Sequence, residues 1–202
     1  MSIVPGIDVI ILAGGRGERM GGRDKAMVSV DGDTLLDTLL DEVSLLDGLQ
    51  QVAVVSSRSP EVRPGVKLVA EDPPFSGPLS ALDAGVRALR AQAAAYTALL
   101  AVDAPHSAAL LPDLLDALES TPRAGLAAVS TSADGIQPLC TLWHTTELWR
   151  TLDGIETTDR ALKSILDGHG RIALIPGTGE ERDYDTLEEL RELGDVEDSG
   201  RG

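Results

Sequence analysis

Short apolar segments alternate with segments whose apolar residues recur at helical spacing along most of this 202-residue chain, and that alternation leaves few folds open. A strand covered by helices on both faces reads as a near-continuous apolar run, whereas the covering helices keep a period of 3.6. The pattern predicts strands at Ile7 to Leu12, Gln51 to Ser56, Val66 to Val69, Tyr96 to Val102, Ala124 to Ser130, Gln137 to Trp143 and Arg171 to Ile175. Helices are expected between them. The first has a face of Leu35, Leu36, Leu39, Leu40 and Val43, with Asp33 placed as its cap. Others are expected at Pro78 to Ala93, Ser107 to Glu119, Thr145 to Leu152, Asp159 to Leu166 and Thr186 to Leu193. Aromatic residues are only 2% of the chain, so the core must be built from Ala, Val, Leu and Ile, which suits helices laid on a sheet. The expectation is an α/β fold, a mostly parallel mixed sheet with helices on both faces. It forms one domain over residues 1–193, followed by a flexible acidic tail over 194–202.

Charge narrows the ligands. The formal net charge is −16, which disfavours a nucleic-acid partner. No apolar run approaches the ~20 residues of a membrane helix, and the first residues lack a signal-peptide pattern, so no membrane contact and a cytoplasmic protein are expected. The single cysteine, Cys140, and the three scattered histidines form no zinc spacing. No hydrolase triad emerges around His106, His144 or His169, which read as surface or packing residues.

Against that acidic background one segment stands out. Directly after the first strand, Leu12 to Lys25 carries five glycines and four cations, Arg16, Arg19, Arg23 and Lys25. Glycine lets backbone N–H groups approach a phosphate, and the cations supply the charge a polyphosphate needs. A dinucleotide fingerprint fails, because Met20 stands where its third glycine belongs. A P-loop also fails: Gly17 and Gly22 have the right separation, but Arg23-Asp24 replaces the Lys-Ser/Thr pair.

The segment resembles instead the N-terminal signature of the nucleotidyltransferases related to molybdenum cofactor guanylyltransferase, Leu-x-Gly-Gly-x-x-x-Arg-Met-Gly followed by Asp-Lys. Leu12, Gly14, Gly15, Arg19, Met20, Gly21, Asp24 and Lys25 match it. The resemblance runs from Leu12 to Leu190 and loosens along the chain. It implies a Rossmann-like nucleotidyltransferase fold and transfer of GMP from GTP to the terminal phosphate of molybdenum-carrying molybdopterin, with release of pyrophosphate. It also implies Mg2+ as cofactor, a molybdopterin-type phosphate acceptor, and transient contact with proteins of molybdenum cofactor biosynthesis or molybdoenzyme maturation.

In open α/β sheets ligands bind beyond the carboxyl ends of the strands, which directs attention to polar residues there. The glycine loop, with Leu12, Ala13, Gly14 and Gly15, follows the first strand, and Ser56-Ser57-Arg58 follows the second. Backbone N–H groups of Ala13 to Gly15, with Arg19 and Lys25, are the expected phosphate contacts. Asp103 ends the run Leu99 to Val102, where a lone carboxylate is costly unless hydrated, paired or bound to a cation. Magnesium favours one or two carboxylates plus substrate phosphates. The resemblance assigns Asp103 to magnesium, although Val102-Asp103-Ala104-Pro105 matches the family turn only at Asp and Pro, and a turn aspartate before proline is the plain alternative. It suggests Asp185 as a second metal ligand, through Asp183-Tyr184-Asp185-Thr186. There a capping box, Asp185 with Glu188 or Thr186 with Glu189, competes as an explanation. It assigns Asp72 to the guanine edge, with Glu71 as competitor, and Gly77-Pro78-Leu79 to a helix start beside the nucleotide. Gln137-Pro138-Leu139 matches a motif on the acceptor side.

Three other readings stay open on the sequence. The loop reads triphosphate and not base, so a cytidylyltransferase or a sugar-phosphate nucleotidyltransferase of the same fold fits it. A catalytically inactive nucleotide-binding relative fits the departures at Val102 and Ala104. A dinucleotide-dependent oxidoreductase fits least.

Overall fold

A computed structural model describes residues 4–15, 22–131 and 135–197. Its seven-stranded sheet is built from β1 (Ile7–Leu12), β4 (Leu49–Val55), β5 (Val66–Val69), β6 (Tyr96–Ala101), β7 (Leu126–Ser130), β8 (Ile136–His144) and β9 (Ile172–Pro176). The order across the sheet is β5-β4-β1-β6-β8-β7-β9. All neighbouring pairs are parallel except those of β8, which runs antiparallel to β6 and β7.

The period of two explains why the central strands are apolar throughout. In β1, Val9 and Ile11 face one buried cluster while Ile10 and Leu12 face the other. β4 does the same, with Val52 and Val54 on one side and Ala53 and Val55 on the opposite side. The first cluster is closed by α1 (Leu35–Ser44) and α3 (Leu111–Ser120). The second is closed by α2 (Pro78–Leu89), α4 (Thr145–Leu152) and α5 (Lys163–Leu166). Helices therefore lie on both faces.

A second, three-stranded sheet joins β2 (Ser29–Val30), β3 (Asp33–Thr34) and β10 (Val196–Glu197). Its strands are two residues each, too short for any periodic signal. It also accounts for two differences from the sequence reading. Asp33 pairs with Val30 in β3, so Thr34 caps α1 in its place, its Oγ1 accepting from the N–H of Asp37 at 3.0 Å. Residues 196–197, within the segment read as a flexible tail, pair with Val30 and Ser29, while residues 198–202 lie outside the described residues.

Helix lengths differ too. Asp159 does not open a helix: it has φ 55°, and its N–H donates to the Ser76 carbonyl at 2.7 Å. The helix itself, α5, begins only at Lys163. The last helix, α6 (Leu187–Leu190), is a single turn.

Buried Asp8 is the one carboxylate in β1. It sits at the amino end of the strand, away from the carboxyl ends, accepting from Ala94 N at 2.9 Å and from Gln51 Nε2 at 3.2 Å. Burial raises its pKa, and these donors work against that rise. It fastens β1, β4 and the segment before β6 to one another.

At Gly85, α2 lies directly on the sheet. A Cβ there would meet Ile10 Cγ2 at 2.6 Å and Val55 Cγ2 at 3.2 Å. Gly85→Ala gains helix propensity worth about 1 kcal/mol, but overpacking of a close-packed core typically costs about 1–3 kcal/mol. Net destabilisation is therefore expected, read as a lower urea midpoint. An unchanged or higher midpoint would show that α2 is free to lift off the sheet.

Candidate active site

The register of the central strands brings together the loops singled out from the sequence. Leu12 is opposite both Val55 and Ala101, and Val55 is opposite Val69, so the segments following β1, β4, β5 and β6 leave the sheet side by side. Ala13 N–H donates to the Val55 carbonyl at 2.9 Å, and Val102 N–H to the Leu12 carbonyl at 3.0 Å, extending the ladder by one residue on each side. The Ala13 N–H is therefore already bonded, which corrects the expectation that it faces a phosphate. The N–H groups of Gly14 and Gly15 make no backbone hydrogen bond among the described residues. Gly14 lies over Val55 and Glu71, whose nearest atoms would be 3.8 Å and 3.9 Å from a Cβ on it, and nothing lies within 4 Å of one on Gly15.

Residues 16–21, including Arg16, Arg19 and Met20, lie outside the described residues. The two ends of that stretch are tied together by Arg58, whose Nε donates to the Gly15 carbonyl at 3.3 Å and whose Nη1 donates to the Gly22 carbonyl at 2.9 Å. Ser56, buried, accepts the Arg58 N–H on its Oγ at 3.1 Å, so it shapes the turn that aims Arg58. The sequence singles out the segment Ser56-Ser57-Arg58 but assigns a nucleotide contact to Ser56 and no role to Arg58. A cation directly after a strand end was the available signal.

Lys25 opens a single 3-10 turn, Lys25–Met27, capped by Asp24 Oδ1, which accepts from Ala26 N at 3.1 Å. From that fixed base its Nζ donates to Asp103 Oδ2 at 3.1 Å and to Asp185 Oδ1 at 2.8 Å. Side-chain exposure is 18% for Lys25, 22% for Asp103 and 35% for Asp185, so the three form a recessed group at the mouth of the loops. The other oxygen of Asp103, Oδ1, is buried and has no hydrogen-bond partner.

The competition at Asp185 resolves in a specific way. Thr186 takes the cap of α6: its Oγ1 accepts from Glu189 N at 3.2 Å, while Glu189 Oε2 accepts from Thr186 N at 2.9 Å. Asp185 is left just outside the helix with its side chain turned to Lys25. The segment is brought there by the Tyr184 N–H, which donates to the Asp103 carbonyl at 2.9 Å.

Burial pushes the Asp103 carboxyl above the ordinary carboxylate value; Lys25 pulls it back only in part, and neighbouring Asp183 and Asp185 add to the rise. Burial opposes the charge on Lys25, but Asp103 and Asp185 together outweigh it and hold its pKa above the usual lysine value. The group is thus an acidic seat that holds the Lys25 ammonium.

Glu71 and Asp72 separate clearly. Glu71 is buried, with Oε1 accepting from Phe75 N at 3.0 Å and Oε2 buried without a hydrogen-bond partner. Asp72 is exposed at the start of the same loop. Gly77 precedes α2 at φ 100°, a left-handed-side conformation that favours glycine, and Pro78 occupies the first helical turn. Gln137 lies in β8 with its Nε2 donating to the Glu181 carbonyl at 3.3 Å. His106, three residues beyond Asp103, bonds Glu42 at 2.7 Å. Cys140 is buried, its thiol pushed up to about 12 by burial first and Glu181 second.

Among the described residues no helix is long and apolar enough to cross a membrane, and no cluster of three or more His, Cys, Asp or Glu side chains could hold a metal ion.

Comparison with known proteins identifies the family and the fold. The profile of the MobA-like NTP transferase domain matches residues 9–172. A molybdenum cofactor guanylyltransferase of Serratia proteamaculans is 29% identical over 162 residues, covering 80% of this chain and 79% of that protein. A probable molybdenum cofactor guanylyltransferase of Opitutus terrae is 34% identical over 157 residues, covering 76% and 70%. Among solved structures, a nucleotidyl transferase from Methanothermobacter thermautotroptrophicus superposes with a TM-score of 0.71 at 20% identity, covering 93% of this chain and 95% of that one. The 2-C-methyl-D-erythritol 4-phosphate cytidylyltransferase of Francisella tularensis also gives 0.71, at 13% identity, covering 93% and 98%. The fold is that of the nucleotidyltransferases.

Proposed function

Because the chain belongs to the MobA-like NTP transferase family, we propose that it transfers GMP from GTP to the terminal phosphate of molybdenum-carrying molybdopterin. The observation that carries this reading is the meeting of Lys25, Asp103 and Asp185 beside the glycine loop, at the carboxyl ends of β1 and β6.

A phosphate monoester oxygen of the acceptor attacks the α-phosphorus of GTP, the bond from that phosphorus to the bridging oxygen breaks, and pyrophosphate leaves. The nucleophile is already ionised at neutral pH, so no general base is required. The task is to bring two anions together and to balance the charge gathering on the leaving group. Gly14 and Gly15 offer N–H groups to the triphosphate, and Lys25, with Arg19 from the same loop, supplies positive charge. Leu12 and Ala13 form the floor at the strand end, and Ser56 and Arg58 keep the two sides of the loop together. Exposed Asp72 accepts from the N1–H and N2–H edge of guanine, with Gly77 leaving room where α2 begins.

The donor set suits magnesium. Two carboxylates share the Lys25 ammonium, and the second oxygen of Asp103 is buried without a partner. With too few carboxylates for an all-protein site, the remaining ligands would be phosphate oxygens and water. Asp103 and Asp185 would hold the ion, which when bound supplies Lewis-acid neutralisation of the phosphates. Proteins of molybdenum cofactor biosynthesis or molybdoenzyme maturation would deliver the acceptor and receive the product.

With magnesium and molybdenum-loaded molybdopterin, pyrophosphate release should be fastest from GTP among the four common nucleoside triphosphates, and the acceptor should gain the mass of GMP. Faster release from CTP, or GTP binding with no guanylylated product, would refute the proposal.

A further inference from the structure

The position where a divalent ion would be expected is filled by the protein's own ammonium group. Lys25 Nζ lies within hydrogen-bond distance of Asp103 Oδ2 and Asp185 Oδ1 together. We propose that Lys25 keeps bare divalent metal out of this acidic seat, and that the metal enters with a nucleoside triphosphate whose phosphates take the ammonium over. The inference rests on the reading of the site as a nucleotidyltransferase centre.

The electrostatics require some cation here. Asp103 and Asp185 face one another, Asp183 is close enough to add to the repulsion on Asp103, and Asp103 is recessed from solvent. Lys25 meets that need through its two hydrogen bonds. A metal arriving alone must either lie against the ammonium, with like charges in a poorly screened pocket, or displace it from both hydrogen bonds with nothing offered in return. A triphosphate changes the balance by giving the ammonium new anionic partners within the same loop.

The stem is built for such an exchange. The Lys25 backbone is fixed in the 3-10 turn by the Asp24 cap and by buried Ala26, while its four-carbon side chain is free to carry Nζ without moving that base. Metal and nucleotide affinities are then coupled, and by linkage each tightens the other by the same factor.

The test uses Mn2+ as probe, read by the electron paramagnetic resonance of the unbound ion and corrected for Mn2+ held by GTP alone. Lys25→Met should bind Mn2+ without nucleotide roughly tenfold or more tightly than the native protein, within the usual range of coupled sites. Adding Asp103→Asn to that variant should abolish the gain, locating it at this seat. In the native protein, GTP should tighten Mn2+ binding by a comparable factor. Equal affinity of native and Lys25→Met proteins for Mn2+ alone, with both folded by circular dichroism, would overturn the proposal. A gain in Lys25→Met without any effect of GTP on the native protein would support the exclusion of bare metal and refute the nucleotide reading instead.

Discussion

Asp103→Asn is expected to lower guanylyl transfer by on the order of 10³-fold, the scale of losing a preorganised charge at the reacting phosphates. Asparagine keeps the size of the side chain and can still accept from Lys25, so the packing at the end of β6 is retained. The same substitution should raise the melting temperature near neutral pH. Burial holds the folded-state pKa of Asp103 above the ordinary carboxylate value of 3.8, so its ionised form costs the folded protein stability. The cost is full above the raised folded value, shrinks as pH falls through it, and is gone below 3.8. The advantage of the asparagine variant should fade over that same window. Lost activity with raised stability is the signature of a functional carboxylate. A variant both inactive and less stable would mark Asp103 as a structural turn residue, and full activity would remove it from the mechanism.

Lys25→Met should cost roughly 10²–10³-fold in kcat, because methionine fills the space but cannot neutralise phosphate charge. Its effect on stability has the opposite sign to that of Asp103→Asn. Without the ammonium, Asp103 and Asp185 repel one another in a recessed pocket, and the melting temperature should fall near neutral pH. Millimolar Mn2+ should restore it, since a divalent ion can now take the vacated seat. The folded-state pKa of Lys25 is raised above 10.5, so its contribution to the native protein is complete below that value and is lost as pH rises through the raised one. The two melting curves should therefore converge in strong alkali. A destabilisation independent of pH up to that range and unaffected by Mn2+ would show that only packing was lost.

Both variants touch the same group, so their effects should not add. In the double variant the surviving carboxylate, Asp185, no longer faces a second one, and part of the stability lost in Lys25→Met should return.

The layered α/β architecture was legible in the chain, because continuous apolar strands such as β1 and β6 have no stable place except between two layers of helices. The first loop, with five glycines and four cations after a strand, was legible as a candidate phosphate site. At the start of the last helix local chemistry offered two capping pairs, Asp185 with Glu188 and Thr186 with Glu189, and the structure takes the second. Tertiary structure alone decided that Lys25, Asp103 and Asp185 touch, since they are separated by 78 and 160 residues and meet only through strand register and the Tyr184 to Asp103 hydrogen bond. It decided that β8 runs against its neighbours, that two-residue strands gather Ser29, Asp33 and Val196 into a small sheet, and that Thr34 displaces Asp33 as a cap. It also committed the Ala13 N–H to Val55. Each of these depends on which backbone groups find partners far away in the chain, and no periodicity within a segment records that.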